Sequence, residues 1–160
     1  GPGSYTGLRI GVSAAKGFCY ALNIPLISVN TLQHMALQAA ENYENKAALF
    51  CPMIDARRME VYCAIYDAMN QEVKATAAEI IDEHSFSDDL KSKELVFFGD
   101  GSAKCKGMLE GNKNAKFLDQ VVPSAQNMIA LAEAKYAAQD FENTAYFEPF
   151  YLKDFLIGGK

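Results

Sequence analysis

Residues able to carry chemistry are few in this chain, and their spacing builds no complete catalytic set. The only histidines are His34 and His84, whereas a catalytic metal needs three converging protein ligands. His34 sits among Leu32, Met35, Ala36 and Leu37, where a half-buried or surface histidine is expected rather than a ligand. His84, within Asp82-Glu83-His84-Ser85, is expected on a solvated loop. No serine stands in a Gly-x-Ser-x-Gly elbow, the strained turn that exposes a nucleophile. Asp55, Asp100 and Asp119 lie too far apart for the sequence to join them into a carboxylate pair. Cys19, Cys51, Cys63 and Cys105 show no Cys-x-x-Cys spacing and sit among apolar neighbours, as buried reduced thiols do. That usage points to a cytosolic compartment.

Three features carry a positive suggestion. The stretch Gly1-Pro2-Gly3-Ser4-Tyr5-Thr6-Gly7 leads into a helix, and a helix N-terminus can bind anions through its free N–H groups. The phosphate-loop spacing is absent, because the nearest lysine is Lys16, more than two turns on, so a tight loop feeding a packed helix is the plainer reading. Gly7, Gly11, Ala15 and Cys19 form a ladder of small residues at steps of four. Such a ladder lets another backbone approach closely, either a partner helix or the chain's own sheet. Third, Asp55-Ala56-Arg57-Arg58 concentrates charge at the tip of an otherwise apolar hairpin, where it faces a phosphate or simply water.

The elements that must position these residues alternate between helix and strand. Thr6–Leu22 reads as a helix capped by Thr6, with Leu8, Val12, Ala15, Cys19 and Leu22 on one face and Ile10, Ala14, Phe18 and Ala21 beside them. A short buried strand is expected at 26–29, then a helix capped by Asn30 or Thr31 and running to about Tyr43. Strands follow at 46–54 and 60–66, joined as a hairpin, with another near 72–76. Leu95–Phe98 is a buried strand closed by Gly99-Asp100-Gly101, and 102–109 is helical. Phe117–Val122 is a strand. Residues 124–141 form an amphipathic helix with Met128, Leu131, Ala132, Tyr136 and Phe141 available to the core. The class is therefore α/β.

Composition sets outer limits. The 160 residues suit one domain or two small lobes, at roughly 150 residues per domain. Half are apolar and 22% are charged, which excludes a disordered tail. No apolar run approaches the roughly 20 residues of a bilayer span. A net charge of −5 with three arginines, Arg9, Arg57 and Arg58, argues against a broad phosphate-neutralising surface but leaves room for a small basic patch.

Taken in order, several segments closely resemble one family. They are Gly1 through Gly17 (GPGSYTGLRIGVSAAKG), Asn23-Ile24-Pro25-Leu26-Ile27, Val29-Asn30-Thr31-Leu32, Ile54-Asp55-Ala56-Arg57-Arg58-Met59-Glu60-Val61-Tyr62, Phe98-Gly99-Asp100-Gly101 and Pro149-Phe150-Tyr151-Leu152-Lys153. They resemble the TsaB family, the YeaZ-like subunit of bacterial tRNA threonylcarbamoyladenosine synthesis. The resemblance implies an actin-like (ASKHA, ribonuclease H-like) fold of two lobes, the first truncated here. Residues 1–45 would be the remainder of the first lobe, with its partner-facing helix, and 46–160 the second lobe. The catalytic paralogue, TsaD, carries a Val-Asn-His-x-x-x-His helix whose two histidines bind a metal. This chain has Thr31 and Met35 at those positions, which implies a non-catalytic partner.

For such a partner the resemblance implies a heterodimer with the TsaD-type paralogue, joined by a TsaE-type ATPase, with a homodimer when alone and tRNA reached only through the complex. The ATP and the metal belong to the paralogue, so no cofactor is expected here. Carried onto this chain, the partner-binding residues are Tyr5, Gly7, Leu8, Arg9, Gly11, Val12, Ala15, Lys16 and Cys19, with no assignment of the side that faces the partner. Asp55, Arg57 and Arg58 would be a vestigial phosphate-facing group. Two other readings stay open beside the scaffold: an actin-like nucleotide hydrolase, and a peptidase, an old label for the superfamily.

Overall fold

The computed structural model describes residues 1–153, so the last seven residues assigned to the second lobe lie outside the described residues. Five strands make one sheet: β1 (Leu49–Asp55), β2 (Glu60–Tyr66), β3 (Glu72–Ile80), β4 (Leu95–Phe98) and β5 (Ala115–Leu118), in the order β3-β2-β1-β4-β5. β1, β2 and β3 run antiparallel, while β4 pairs parallel with both β1 and β5. A meander followed by a parallel extension is the sheet expected of an actin-like lobe. Because β1, β4 and β5 are parallel, their carboxyl ends lie along one edge, where open α/β sheets bind ligands.

The central strands read as unbroken apolar runs because both faces of the sheet are covered. Alternate residues point to opposite faces. Cys51, Met53, Cys63, Ile65, Leu95 and Phe97 go to one side, under α3 (Ser102–Leu109) with Cys105 and Leu109. Phe50, Ala64, Tyr66, Val96 and Phe98 go to the other, under α2 (Thr31–Asn42) with Leu32, Met35, Ala36, Ala39 and Ala40. Asn30 caps α2, its side chain accepting from the amides of Leu32 and Gln33. Thus α2, grouped by sequence with residues 1–45, shares its core with the sheet of 49–118.

Helix α1 (Tyr5–Leu22) contains no fully buried residue. Its cap is Ser4, not Thr6: Ser4 Oγ accepts from the Gly7 amide at 3.4 Å, two residues earlier than the apolar spacing suggests. Asn23 ends it in the left-handed region, φ 52°, a conformation asparagine tolerates.

Other expectations need correction. Residues 26–29 form no strand; Leu26 makes a single bridge to Glu142, whose amide donates to the Leu26 carbonyl at 2.8 Å. Its apolar run reflects burial of Leu26 alone in that segment. The long helix expected over 124–141 is a 3-10 turn (Ala125–Met128) and then α4 (Ile129–Ala137), and no residue of either is buried. Tyr136 and Phe141 pack their rings on each other at 5.6 Å rather than entering the core. Periodicity identifies an apolar face without saying what it meets. His34 is also misjudged, being 3% exposed with neither ring nitrogen hydrogen-bonded.

Candidate functional site

Two places gather the residues singled out by sequence. The first is α1. Tyr5, Leu8, Val12, Ala15, Lys16 and Cys19 are half-buried along one side of it. Lys16 Nζ donates to the carbonyls of Ala145 and Phe147 at 3.0 and 3.1 Å, tying the helix to the segment 143–151. The Tyr5 ring lies 4.8 Å from that of Tyr151, and the Arg9 guanidinium sits 5.5 Å from the Tyr5 ring centroid. Between helix and segment runs an open cleft of about 380 Å³, lined among others by Arg9, Ser13, Lys16 and Glu148.

The other side of α1 is open. A Cβ built on Gly11 or Gly17 would meet nothing within 4 Å, and one on Gly7 would meet only Ser4 of its own cap. Ile10 and Phe18 are each 67% exposed and Leu22 65%, with Ala14 and Ala21 also exposed between them. At 100° per residue these residues share one arc of the helix with the three glycines. The small-residue ladder is thus divided: Gly7 and Gly11 face outward, while Ala15 and Cys19 turn toward the chain. Its own sheet does not fill the space the glycines leave.

The second place is the carboxyl edge of the sheet. Gly99 leaves β4 with φ +96°, and a Cβ there would come within 2.3 Å of the Met53 carbonyl oxygen, so only glycine fits. This crossing brings Asp100 over the end of β1, where its Oδ1 accepts from the Asp55 amide at 3.0 Å. Asp55 Oδ1 in turn accepts from Lys104 Nζ at 2.8 Å and from the Arg57 amide at 2.6 Å. The Lys104 ammonium, then the Arg57 amide, hold the Asp55 carboxyl below the usual carboxylate range. Lys104 also donates to the Glu60 carbonyl at 2.7 Å, and Lys153 pairs with the Glu60 carboxylate.

Asp55 and Asp100 therefore do meet, which their separation in sequence conceals, but each accepts from a donor and they do not share a proton. Asp119, just beyond β5, joins neither of them. Arg57 and Arg58 project from the tip. Sequence reasoning gives Lys104, Glu60 and Lys153 no part in this site and leaves Asp100 unjoined to Asp55; Gly99-Asp100-Gly101 is the one signal, since paired glycines mark a close backbone crossing.

Where the paralogue would hold metal, Met35 is fully buried and packs beneath Gly99, and the Thr31 amide donates to the Gly1 carbonyl at 3.0 Å. His34 turns into the core, where burial pushes its pKa down. Among the described residues no group of three or more His, Cys, Asp or Glu could hold a metal ion. Cys51, Cys63 and Cys105 are buried and unbridged, and burial, then the neighbouring Cys63, push the Cys51 thiol up.

Comparison with known proteins agrees with this geometry. The model of a family described as tRNA N6-adenosine threonylcarbamoyltransferase, TsaD, matches residues 1–156. The tRNA threonylcarbamoyladenosine biosynthesis protein TsaB of Escherichia coli is 32% identical over 96% of this chain and 68% of its own length. That of Haemophilus influenzae is 29% identical over 96% of this chain and 67% of its own. The chain thus spans about two thirds of these relatives. Among solved structures, an uncharacterized protein with similarity to peptidase YEAZ from Pseudomonas aeruginosa superposes with a TM-score of 0.75 at 25% identity, over 96% of this chain and 70% of that one. On its sheet order, its opening loop and helix, and these relatives, the chain belongs to the TsaB (YeaZ-like) family of tRNA threonylcarbamoyladenosine biosynthesis proteins, with an actin-like α/β fold.

Proposed function

We infer that this chain acts as a non-catalytic scaffold, binding a TsaD-type paralogue through the open side of α1 and supporting threonylcarbamoyl transfer to the tRNA adenosine beside the anticodon. The observation that carries the reading is the open arc itself: glycines whose missing side chains nothing in the described chain replaces, flanked by Ile10, Phe18 and Leu22. A second helix laid there could approach the backbone closely and bury those side chains. The same arc would serve a homodimer in the absence of the paralogue. The paralogue would hold the metal and ATP, a TsaE-type ATPase would join the assembly, and tRNA would be reached through it, in the cytoplasm. Among the described residues no helix is long and apolar enough to cross a membrane.

The rival reading, actin-like nucleotide hydrolysis, has the sheet edge in its favour. It would need the Asp55 carboxylate for a metal contact beside a phosphate, yet the Oδ1 of that carboxylate already accepts from Lys104 and from the Arg57 amide. Size exclusion with light scattering on the full-length protein, alone and mixed with its paralogue, tests the scaffold. A stable 1:1 complex is expected, and Gly11→Leu abolishes it. Leucine improves helix propensity over glycine by roughly 0.5–1 kcal/mol, so loss of the complex would not reflect a weakened helix. A complex untouched by Gly11→Leu, or none at all, contradicts the reading. ATP turnover by the protein alone that Asp55→Ala abolishes would favour the rival.

A further inference from the structure

The tip of the β1–β2 hairpin holds two of the chain's three arginines side by side. Both have left-handed backbones, φ 72° at Arg57 and 46° at Arg58. L-residues other than asparagine and aspartate rarely occupy that region, and a turn that requires it ordinarily carries glycine or asparagine. Two arginines are thus held where their backbone is disfavoured, which turns attention to their side chains.

The tip is also braced from below. Ala56 N donates to the Glu60 carbonyl and Glu60 N to the Arg57 carbonyl, each at 3.0 Å, closing a loop of three residues. Asp55 is fixed by Lys104, by the Arg57 amide and by Asp100. Glu60 is fixed by Lys153. The carboxylates at this end are therefore engaged with lysines or amides. Neither arginine guanidinium has an ion pair or hydrogen bond among the described residues, and both residues are exposed. In a chain of net charge −5, the tip carries two guanidinium charges that no carboxylate among the described residues pairs with.

Guanidinium groups match phosphate with two parallel hydrogen bonds, and their planar fork loses little freedom per bond formed. We propose that Arg57 and Arg58 form a contact for the phosphate backbone of the tRNA on which the assembled complex acts. This rests on the scaffold reading, which supplies an RNA substrate. The net charge of −5 argues against a broad RNA surface, so the contact is assigned to this tip and adds to whatever the other subunits hold.

The test uses the full-length protein assembled with its transferase partner, and unmodified tRNA followed by fluorescence anisotropy across a series of salt concentrations. Arg57→Gln/Arg58→Gln should leave assembly intact and weaken tRNA binding. Each phosphate contact contributes about 0.7–0.9 to the slope of log affinity against log salt, so the slope should shrink by about 1.4–1.8. Arg57→Lys/Arg58→Lys keeps the charge and should restore most of the slope. An assembled Gln variant with an unchanged slope overturns the proposal and leaves the scaffold standing. A Gln variant that no longer assembles assigns the tip to an acidic protein surface and also overturns it. Failure of the unaltered proteins to assemble, seen before RNA is added, removes the scaffold reading and this proposal with it.

Discussion

His34 shows how a single residue type misleads. Its neighbours in sequence are apolar, yet a histidine on an apolar stretch can sit at the stripe's edge or inside it, and spacing alone does not choose. In the fold it lies in the core with neither ring nitrogen paired, so its neutral form is favoured and its pKa lowered. The sign of the consequence is definite. Below the ordinary value of about 6.5 the unfolded chain binds a proton that the folded chain resists, so stability must fall as pH drops through that range. The acidic groups held low by partners, such as Asp55, lose their contribution only below the ordinary carboxylate range of about 4. The two windows are therefore separate. Urea denaturation at pH 7.5 and pH 5.5 should give a lower midpoint at the acidic value, and His34→Leu should remove most of that difference. An undiminished difference in His34→Leu would place the titrating group elsewhere.

Elements were legible in proportion to how fully the fold uses them. β1, β2 and β4 announce themselves because burial on both faces makes them apolar throughout, and α3 and α2 because each has a defined apolar stripe. β3 is an edge strand whose first residues, Glu72 to Ala75, are all exposed. Its length was underestimated because edge strands carry charge against mispairing. α4 is shorter than its apolar spacing suggests and buries none of its residues, Tyr136 packing on Phe141 beyond the helix end instead of on a core. The site divides in the same way. Arg57 and Arg58 stood out through local charge, whereas Lys104 reaches Asp55 across 49 positions, a pairing that only the parallel β1–β4 register creates. The hairpin offers its own check. A left-handed backbone costs an L-residue about 1–2 kcal/mol, and glycine gives back roughly 0.5–1 kcal/mol of that through its freer unfolded chain. Arg57→Gly or Arg58→Gly should each stabilise the protein by about 0.5–1 kcal/mol, raising Tm by a few degrees in a calorimetric scan. A destabilised glycine variant would mean that the arginine side chains hold the turn together themselves.

At the scale of the whole molecule, the chain divides by packing rather than by order along the sequence. The sheet, α2 and α3 share two closed cores, one on each face. α1 instead packs its half-buried side against the segment 143–151, through two hydrogen bonds from Lys16 and the ring contact of Tyr5 with Tyr151. Local opening free energy follows buried apolar contact, so the parts should open in a definite order. Amides of β1, β4 and α2 should exchange slowest and together, at the global unfolding limit. Those of α1 should exchange well before them, even though α1 is the longest helix described. The break in protection is then expected between Leu22 and Thr31, not near residue 45, because α2 belongs energetically to the sheet. Binding a partner on the open side of α1 would bury Ile10, Phe18 and Leu22, and protection of α1 should rise toward that of the sheet while the sheet itself changes little. Hydrogen exchange with and without the paralogue measures both quantities in one experiment. Protection that rises in the sheet but not in α1 would move the interface off this helix.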